Sequence, residues 1–405
     1  MKIIQSDYIL SPKRLIKSEA IAFDETIAEI APLETLISRY PDAEVTLLGA
    51  HSLIMPGLIN PHIHLEFSGN KTTLKYGAFL PWLHSVIANR EELINNCSVE
   101  CMKEAARMML ASGITTFGAV SSHGMDLEAA AEAPQNVIFF NELIGSQAAM
   151  ADALYGDFVE RLAASEAVTR KGFYPAIAVH SPYSVHPVLI RRAIALAEEK
   201  GLRLSAHFME SPEERQWLDE NAGAFRPFFN DFLKQTTAVN TAGEFLSLFD
   251  SHPTLMTHVV HANDRELRHL AEQGHTVIHC PISNRLLGNG AIDLDALERH
   301  NINWVCGTDG LSSNYRLDLF EEMKIALFMH SDAPLLPLAE RLIESVTLRA
   351  AQALGLNKGS IEAGRDADML VMRLDHEPDE QLPLHLLLHG YPIEAVYIGG
   401  NSVNG

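Results

Sequence analysis

Two histidines two residues apart, His62 and His64, are the first residues in this chain whose type and spacing suit metal chemistry. They follow an apolar run that ends at Met55, and Gly57 and Pro61 interrupt the chain just before them. Side chains at positions i and i+2 of a strand point to the same face. Two imidazoles side by side at a strand end form half of a metal site. An isolated pair of this kind is more often solvated or part of a core, so other segments must supply the remaining ligands.

Later strand-like runs also end in side chains that can bind a metal or transfer a proton. They are His180, His207, Glu210, His258, His261, His279 and Asp309. Barrel enzymes carry their chemistry at the carboxyl ends of the strands. Five runs that each deliver a histidine to one rim are hard to explain by packing, because buried polar groups cost free energy unless they are paired or bind a metal. The pattern therefore favours one shared site.

The ligand set that this pattern offers is His62, His64, His207 and Asp309, which is three neutral nitrogens and one carboxylate. Such a set suits one divalent ion of borderline softness, Zn²⁺ or Fe²⁺, with a position left for water. The ion would lower the pKa of that water toward neutrality. Asp309 could then serve both as a ligand and as a proton acceptor.

Two further residues are candidates for proton transfer. His258 ends the run 254–258, and we expect it to hold the water or to polarise the leaving group. Glu210 lies three residues after His207, at the predicted edge of the cavity. A carboxylic acid there can pass a proton to a ring nitrogen of a substrate. The predicted catalytic residues are therefore Glu210, His258 and Asp309.

Strand-like and helix-like segments alternate through the middle of the chain and must bring these residues together. Strands are predicted at Leu53–Leu65, Ile114–Val120, Asn136–Glu142, Phe173–His180, Leu204–His207, Thr254–His258, Thr276–His279 and Trp304–Thr308. The clearest helices are predicted at Val99–Ser112, Phe158–Thr169, Pro187–Lys200, Arg265–Gln273 and Ile292–His300. Eight strands that alternate with helices over about 300 residues predict an α/β fold, a (β/α)₈ TIM barrel.

Short strands flank this barrel at both ends of the chain. They are predicted at Tyr8–Leu10, Ala20–Asp24, Ile27–Ile30, Glu44–Leu48, Asp368–Arg373 and Ile393–Ile398. Two strand-rich ends around a long middle indicate one small β domain built from both termini. We therefore predict a first β part at residues 1–54, the barrel at 55–355 and a second β part at 356–405.

The longest connection runs from His207 to Thr254 and is rich in aromatic residues. These are Trp217, Phe225, Phe228, Phe229 and Phe232. A long insertion after a barrel strand is a candidate cover for an active site. Packing of the aromatic side chains within a local helical hairpin explains the pattern equally well.

The bulk composition of the 405-residue chain argues against several classes of partner. A net charge of −21 disfavours nucleic acid and anionic membranes, both of which would repel the protein. No apolar stretch approaches the roughly 20 residues of a transmembrane helix, and the N-terminus lacks the apolar core of a signal peptide. The four cysteines are few for this length, and we expect reduced thiols in a cytoplasmic protein.

Several motifs, in order along nearly the whole chain, resemble the amidohydrolase superfamily, in particular its branch of chlorohydrolases and nucleoside deaminases. The matching segments are Pro56–His64, Gly113–Thr116, His207–Glu210, His258, His279–Asn284, Gly307–Asn314 and Gly359–Asp368. The resemblance implies a distorted (β/α)₈ barrel with a small β-sandwich domain built from both chain ends, and a homodimer. Many members hold two metals bridged by a carboxylated lysine on strand four. The run Ala176–His180 contains no lysine, which favours one metal and the deaminase branch.

Within that branch, segment 65–87 is similar to the aminodeoxyfutalosine deaminases of menaquinone synthesis. Those enzymes deaminate the adenine of a nucleoside that carries a benzoate-bearing side chain, giving futalosine and ammonia. By resemblance, Trp82, His180 and Glu210 bind the substrate, although Trp82 fits equally well as a core anchor of its helix. Deaminases of S-adenosylhomocysteine and methylthioadenosine carry an acidic residue at the position of Leu80, where it binds ribose hydroxyls. We therefore expect the ribose to be recognised differently here.

The sequence leaves three hypotheses for the function. The first is hydrolytic deamination of 6-amino-6-deoxyfutalosine, and a benzoate would need a cation. The candidate cations are Lys71, Lys75, Arg226, Arg285 and Arg316. The second hypothesis is the same chemistry on adenosine, methylthioadenosine, S-adenosylhomocysteine or another aminated heterocycle. The third is a non-catalytic binding module, which the complete ligand set disfavours.

Overall fold

The computed structural model describes residues 1–11, 14–70 and 73–403, and the side chains of Ile94 and Phe232 lie outside that description. The strands are β1 Lys2–Gln5, β2 Tyr8–Ser11, β3 Arg14–Lys17, β4 Ala20–Phe23, β5 Ile27–Ala31, β6 Glu44–Leu47, β7 Ser52–Pro56, β8 Leu58–Ile63, β9 Ile114–Ser121, β10 Asn136–Leu143, β11 Phe173–Val179, β12 Leu204–Phe208, β13 Thr254–His258, β14 Thr276–His279, β15 Asn303–Cys306, β16 Met369–Arg373, β17 Ile393–Ile398 and β18 Asn401–Val403.

The helices lie mainly between the strands of the middle section. They are α1 Leu33–Arg39, α2 Phe79–Ala88, α3 Arg90–Asn96, α4 Val99–Ala111, α5 Leu127–Glu132, α6 Ala151–Glu166, α7 Pro187–Lys200, α8 Pro212–Glu220, α9 Phe225–Phe228, α10 Ala242–Leu248, α11 Asp264–Glu272, α12 Pro281–Leu286, α13 Leu294–Arg299, α14 Leu319–Met329, α15 Leu335–Ser345, α16 Leu348–Ala353 and α17 Leu382–His389. Short 3₁₀ segments at Leu65–Phe67 and Ala148–Met150 and a π segment at Phe229–Leu233 complete the described elements.

Eight parallel strands, β8 to β15, form one sheet in which each strand pairs with the next strand along the chain. The two ends of this sheet meet beyond the last strand. The backbone N–H of Asp309 donates to the carbonyl of His62 at 3.1 Å, and the side chain of Asn60 donates to Thr308 Oγ1 at 2.7 Å. This architecture confirms the predicted distorted (β/α)₈ barrel, and it sets the ends of the first and last strands side by side.

Two further sheets are built from the chain ends and confirm the predicted β-sandwich. One sheet has the order β5-β4-β1-β6, and the other has the order β18-β17-β16-β7-β2-β3. The second sheet therefore combines N-terminal and C-terminal strands. Between the sheets lies an apolar core that includes Ile21, Phe23, Ile54, Met369 and Val371. Burial of this apolar surface is what holds the two chain ends together.

The predicted first strand, Leu53–Leu65, is in fact two strands with different partners. Strand β7 pairs with β16 in the sandwich, whereas β8 pairs with β9 in the barrel. The break falls at Gly57, where an added Cβ would lie 2.3 Å from Thr115 Oγ1. A continuous apolar run cannot reveal that its two halves belong to different sheets. The proposed domain limits at 54/55 and 355/356 stay predictions.

The aromatic residues of the long connection pack against one another. The rings of Trp217 and Phe229 stack with centroids 4.8 Å apart, and Phe225 contacts Tyr183 at 5.1 Å. These buried side chains hold α8 and α9 against the barrel. Packing therefore accounts for the described aromatic residues, and a role of this connection as a cover stays a prediction. The predicted contribution of Phe232 lies outside the described side chains.

None of the helices in the described part of the chain combines the length and the apolar composition that a membrane crossing requires.

Candidate metal centre and its cavity

Three histidines from the barrel strands point their ring nitrogens at one spot. His62 lies in β8, His64 follows that strand, and His207 lies in β12; one nitrogen of each falls within 4.8 Å of the others. His62 Nε2 is buried without a hydrogen-bond partner in the described residues. His207 Nδ1 donates to the carbonyl of His180 at 3.1 Å, which leaves Nε2 as the free lone pair. Unpartnered buried nitrogens in this arrangement fit a bound metal ion.

Asp309 completes the arrangement with a carboxylate. Its Oδ1 lies 3.7 Å from Nε2 of His62 and 3.7 Å from Nε2 of His64. Its Oδ2 accepts hydrogen bonds from Ser283 Oγ and Ser313 Oγ, both at 2.8 Å. Burial alone would raise the pKa of Asp309, but the facing histidines hold that pKa well below its ordinary value. The structure therefore brings together all four residues of the predicted ligand set, with the acid in its anionic form.

Glu210 and His258 lie beside this group, as an acid and a neutral imidazole. Glu210 Oε1 lies 3.6 Å from His258 Nε2 and accepts a hydrogen bond from Asn289 Nδ2 at 3.3 Å. Burial, together with the charge of Asp309, raises the pKa of Glu210 well above its ordinary value. Burial lowers the pKa of His258 to about 4. Burial therefore favours the protonated form of Glu210, which can donate a proton, and His258 is uncharged at neutral pH.

The predicted metal ligands, called the metal group below, lie at one cavity of about 550 Å³, a size typical of small-molecule sites. Apart from those described above, the residues on its wall include Phe67, Phe79, Trp82, Leu83, Val86, Ile87, Arg90, Ser122, His123, Glu142, Leu143, Ile144, Leu154, Asp157, Arg161, His180, Tyr183 and Ser312. All three residues predicted to bind the substrate, Trp82, His180 and Glu210, are on this wall. Trp82 also donates from Nε1 to the carbonyl of Ser312 at 2.8 Å, so it is an anchor as well as a wall residue.

The cations on the cavity wall are different from those expected. Lys75, Arg226, Arg285 and Arg316 do not line the cavity, and Lys71 lies outside the described residues. The arginines that do line it are Arg90, from the start of α3, and Arg161, from α6.

Only one of these two arginines is free of acidic partners within the described chain. Arg161 Nε binds Asp157 at 2.9 Å, and its other nitrogens donate to the carbonyls of Ser121 and Glu142. Arg90 contacts His123 Nε2 at 3.2 Å and has no carboxylate partner among the described residues. Arg90 is therefore the cation at the cavity that is available to an anionic ligand.

Glu66 holds the segment that carries His123. Its buried carboxylate accepts hydrogen bonds from the backbone N–H groups of Ser122, His123 and Met125 at 2.9 to 3.1 Å. The spacing His62-x-His64-x-Glu66 was a visible signal for it, since a third residue of the same period follows the two histidines. Glu66 thus couples the first strand end to the loop after β9.

Comparisons with known proteins agree with this geometry. Residues 53–403 match the model of the amidohydrolase family. The aminodeoxyfutalosine deaminase of a Nitratiruptor species is 45% identical over 404 residues, covering 99% of this chain and 99% of the relative. The adenosine deaminase of Helicobacter pylori is 34% identical over 402 residues, covering 96% and 95%.

A solved structure is similar over its full length. It is the aminofutalosine deaminase of Helicobacter pylori in complex with methylthio-coformycin, with a TM-score of 0.94 and 32% sequence identity, covering 100% of both chains. Together with the family match over residues 53–403, this likeness shows that the chain belongs to the amidohydrolase family and is a hydrolase that acts on carbon–nitrogen bonds.

Proposed function

We propose that this protein deaminates 6-amino-6-deoxyfutalosine hydrolytically, giving futalosine and ammonia. The observation that carries the proposal is a single cavity with the metal group on one part of its wall and Arg90 on another. An adenine nucleoside with a benzoate tail needs both features, since its amino group must reach the reacting water and its carboxylate needs a cation. The 45% identical relative named aminodeoxyfutalosine deaminase supports the same assignment.

The residues of the centre fit one divalent ion, Zn²⁺ or Fe²⁺, held by His62, His64, His207 and Asp309. Three imidazole nitrogens and one carboxylate suit an ion of borderline softness, and such a set leaves room for water. When bound, the ion supplies Lewis acidity and lowers the pKa of a coordinated water toward neutrality. The proposal of one ion also rests on β11, which offers no lysine to bridge a second.

Proton transfer in this proposal falls to three residues. Glu210, whose protonated form is favoured by burial, donates a proton to the ring nitrogen next to the carbon that bears the amino group. Asp309 accepts a proton from the attacking water. Asn284 Oδ1 lies 3.0 Å from Nδ1 of His258, so Nε2 of that ring is the acceptor that orients the water. Asp309 then passes the proton of the water to the amino group, which leaves as ammonia when the carbon–nitrogen bond breaks. The proton of the new hydroxyl returns to Glu210 as the ring carbonyl forms.

Apolar residues on the cavity wall suit the aromatic part of the tail. Leu83, Val86, Ile87, Leu143 and Ile144 line the same space as Arg90. A benzoate places an apolar ring next to a charged carboxylate, and this wall offers apolar side chains together with a guanidinium. A nucleoside without the tail would leave these contacts unused.

The test is ammonia release by metal-replete protein with four substrates. They are aminodeoxyfutalosine, adenosine, methylthioadenosine and S-adenosylhomocysteine. We expect kcat/KM for aminodeoxyfutalosine to exceed the others by about 10-fold or more, the size expected for a charge-assisted contact. Equal or faster turnover of a simpler nucleoside would instead support the alternative, deamination of adenosine or a related nucleoside, which the relative named adenosine deaminase favours.

A further inference from the structure

Glu142 is a buried acid on the cavity wall without an assigned role. It lies near the end of β10 and is 1% exposed. Its Oε2 accepts a hydrogen bond from Ser122 Oγ at 2.6 Å. Its Oε1 is buried and has no hydrogen-bond partner in the described part of the chain. A buried acceptor without a donor costs free energy, so a ligand that brings donors is favoured there.

The neighbouring imidazole of His207 does not satisfy this oxygen. His207 Nδ1 lies 3.8 Å from Glu142 Oε1, which is too long for a hydrogen bond, and it already donates to the carbonyl of His180. Glu142, His180 and His207 together could also hold a second cation, since one atom of each lies within 4.8 Å of the others. An experiment on Glu142 must therefore separate contact with substrate from contact with metal.

The other acids of the cavity have partners or positions that exclude them from this role. Asp309 and Glu210 face the histidine group, as described above. Asp157 is paired with Arg161 at 2.9 Å and its side chain is 68% exposed. Leu80, at the position where related deaminases carry an acid for the ribose, is packed against the hydrophobic core and does not line the cavity.

From these observations we infer that Glu142 binds the ribose hydroxyls of the substrate through its free Oε1. A carboxylate oxygen accepts hydrogen bonds from hydroxyl groups, and the Ser122 contact fixes the other oxygen and thus the orientation of the pair. The inference rests on the proposed function, because it assumes an adenine nucleoside in this cavity. Related deaminases bind the ribose with an acid at the position of Leu80. In this protein, the residue that binds the ribose would instead lie at the end of the third barrel strand.

The experiment compares adenosine with 2′-deoxyadenosine and 3′-deoxyadenosine as substrates. In the wild-type protein, loss of a hydroxyl that Glu142 binds is expected to lower kcat/KM by roughly 10- to 100-fold. In Glu142→Gln, that discrimination is expected to shrink to a few-fold, mainly through KM. The variant keeps the volume of the side chain but replaces a charged acceptor with an amide. Asp157→Asn removes another acid of the same cavity and serves as the matched control, with the wild-type discrimination expected to persist.

Three results would overturn the inference. Equal kcat/KM of the wild-type protein for adenosine and both deoxynucleosides would do so without any variant, even if Glu142→Gln failed to fold. A parallel loss for all three substrates in Glu142→Gln would assign Glu142 a structural role. Loss of the metal from that variant, measured by elemental analysis, would make Glu142 a ligand. Failure of the proposed function looks different. A simpler nucleoside would then be deaminated at least as fast as aminodeoxyfutalosine, or no adenine nucleoside would release ammonia, whereas the test of Glu142 compares only adenosine with its deoxy forms.

Discussion

Asn284 Oδ1 lies 3.0 Å from Nδ1 of His258, and this contact decides which nitrogen of that ring faces the cavity. The amide oxygen can only accept, so the proton of the neutral ring resides on Nδ1. Nε2 then carries a lone pair and lies 3.6 Å from Glu210 Oε1. Outer contacts of this kind set the orientation and the tautomer of an active-site histidine.

Replacement of Asn284 by leucine should therefore disable His258 while the metal stays bound. We expect Asn284→Leu to lower kcat by about 10- to 100-fold, the size typical of lost outer contacts, with a smaller effect on KM. Asn284→Asp keeps an acceptor oxygen and should retain more activity than the leucine variant. Steady-state kinetics and metal content measure the two effects separately. An unchanged kcat in Asn284→Leu would contradict the assigned tautomer.

Glu210→Gln tests the proton donor. The amide cannot donate a proton to a ring nitrogen as an acid does, so we expect kcat to fall by about 10²- to 10⁴-fold. The metal content should stay unchanged, since Glu210 is outside the ligand set. Glu220→Gln, on the exposed end of α8, is the matched control and should behave as wild type. Near-normal turnover of Glu210→Gln would mean that another group protonates the ring.

Arg90→Gln tests the recognition of the benzoate. The arginine lines the cavity and has no acidic partner in the described chain, so its loss costs no internal ion pair. We expect the ratio of kcat/KM for aminodeoxyfutalosine to that for methylthioadenosine to fall by about 10-fold, because only the first substrate carries the carboxylate. Arg285→Gln, an exposed arginine away from the cavity, should keep the wild-type ratio. An unchanged ratio in Arg90→Gln would contradict this role and would make Arg161 the next candidate for binding the benzoate.

Metal removal tests the histidine group. Dialysis against a chelator is expected to abolish ammonia release and to lower Tm, because an ion that binds only the native state stabilises it, by about 3 kcal/mol at 100 times its Kd. Zn²⁺ or Fe²⁺ should restore both. His64→Ala should bind less metal, whereas His186→Asn, which changes a histidine at the start of α7, should bind as wild type. Full activity after complete metal removal would exclude the proposed chemistry.

Much of the site was predictable because barrel strands end on one rim. His62, His207 and Asp309 are far apart in the chain, yet each lies at or just after the end of a strand, and the parallel order of β8 to β15 brings them together. Glu142 also lies near a strand end, but a single acid there is an unspecific signal. Its importance depends on an unpaired oxygen, which only the packed structure reveals. Arg90 escaped prediction because no strand or helix was predicted between Leu65 and Val99, so nothing fixed the path of that segment.

Asp126 is a buried acid that we expect to make the stability of the protein depend on pH. It is fully buried near Glu66, its Oδ1 accepts from Ser121 Oγ at 2.5 Å, and its Oδ2 has no partner in the described residues. Burial and the charge of Glu66 raise the pKa of Asp126 to about 8. An acid in the unfolded chain ionises near pH 4. Between those two values the native protein keeps a proton that the unfolded chain releases, so rising pH lowers the free energy of unfolding.

Replacement by asparagine should remove that dependence, because an amide does not titrate. The contribution of Asp126 is fully present below about pH 4 and falls by at most about 1.4 kcal/mol per pH unit until the native acid also ionises near pH 8. Calorimetric Tm values at pH 6, 7 and 8 should therefore fall more steeply for the wild-type protein than for Asp126→Asn. The unpartnered amide shifts the whole curve of the variant and does not change its slope. Parallel curves for the two proteins would show that Asp126 is already ionised at pH 6.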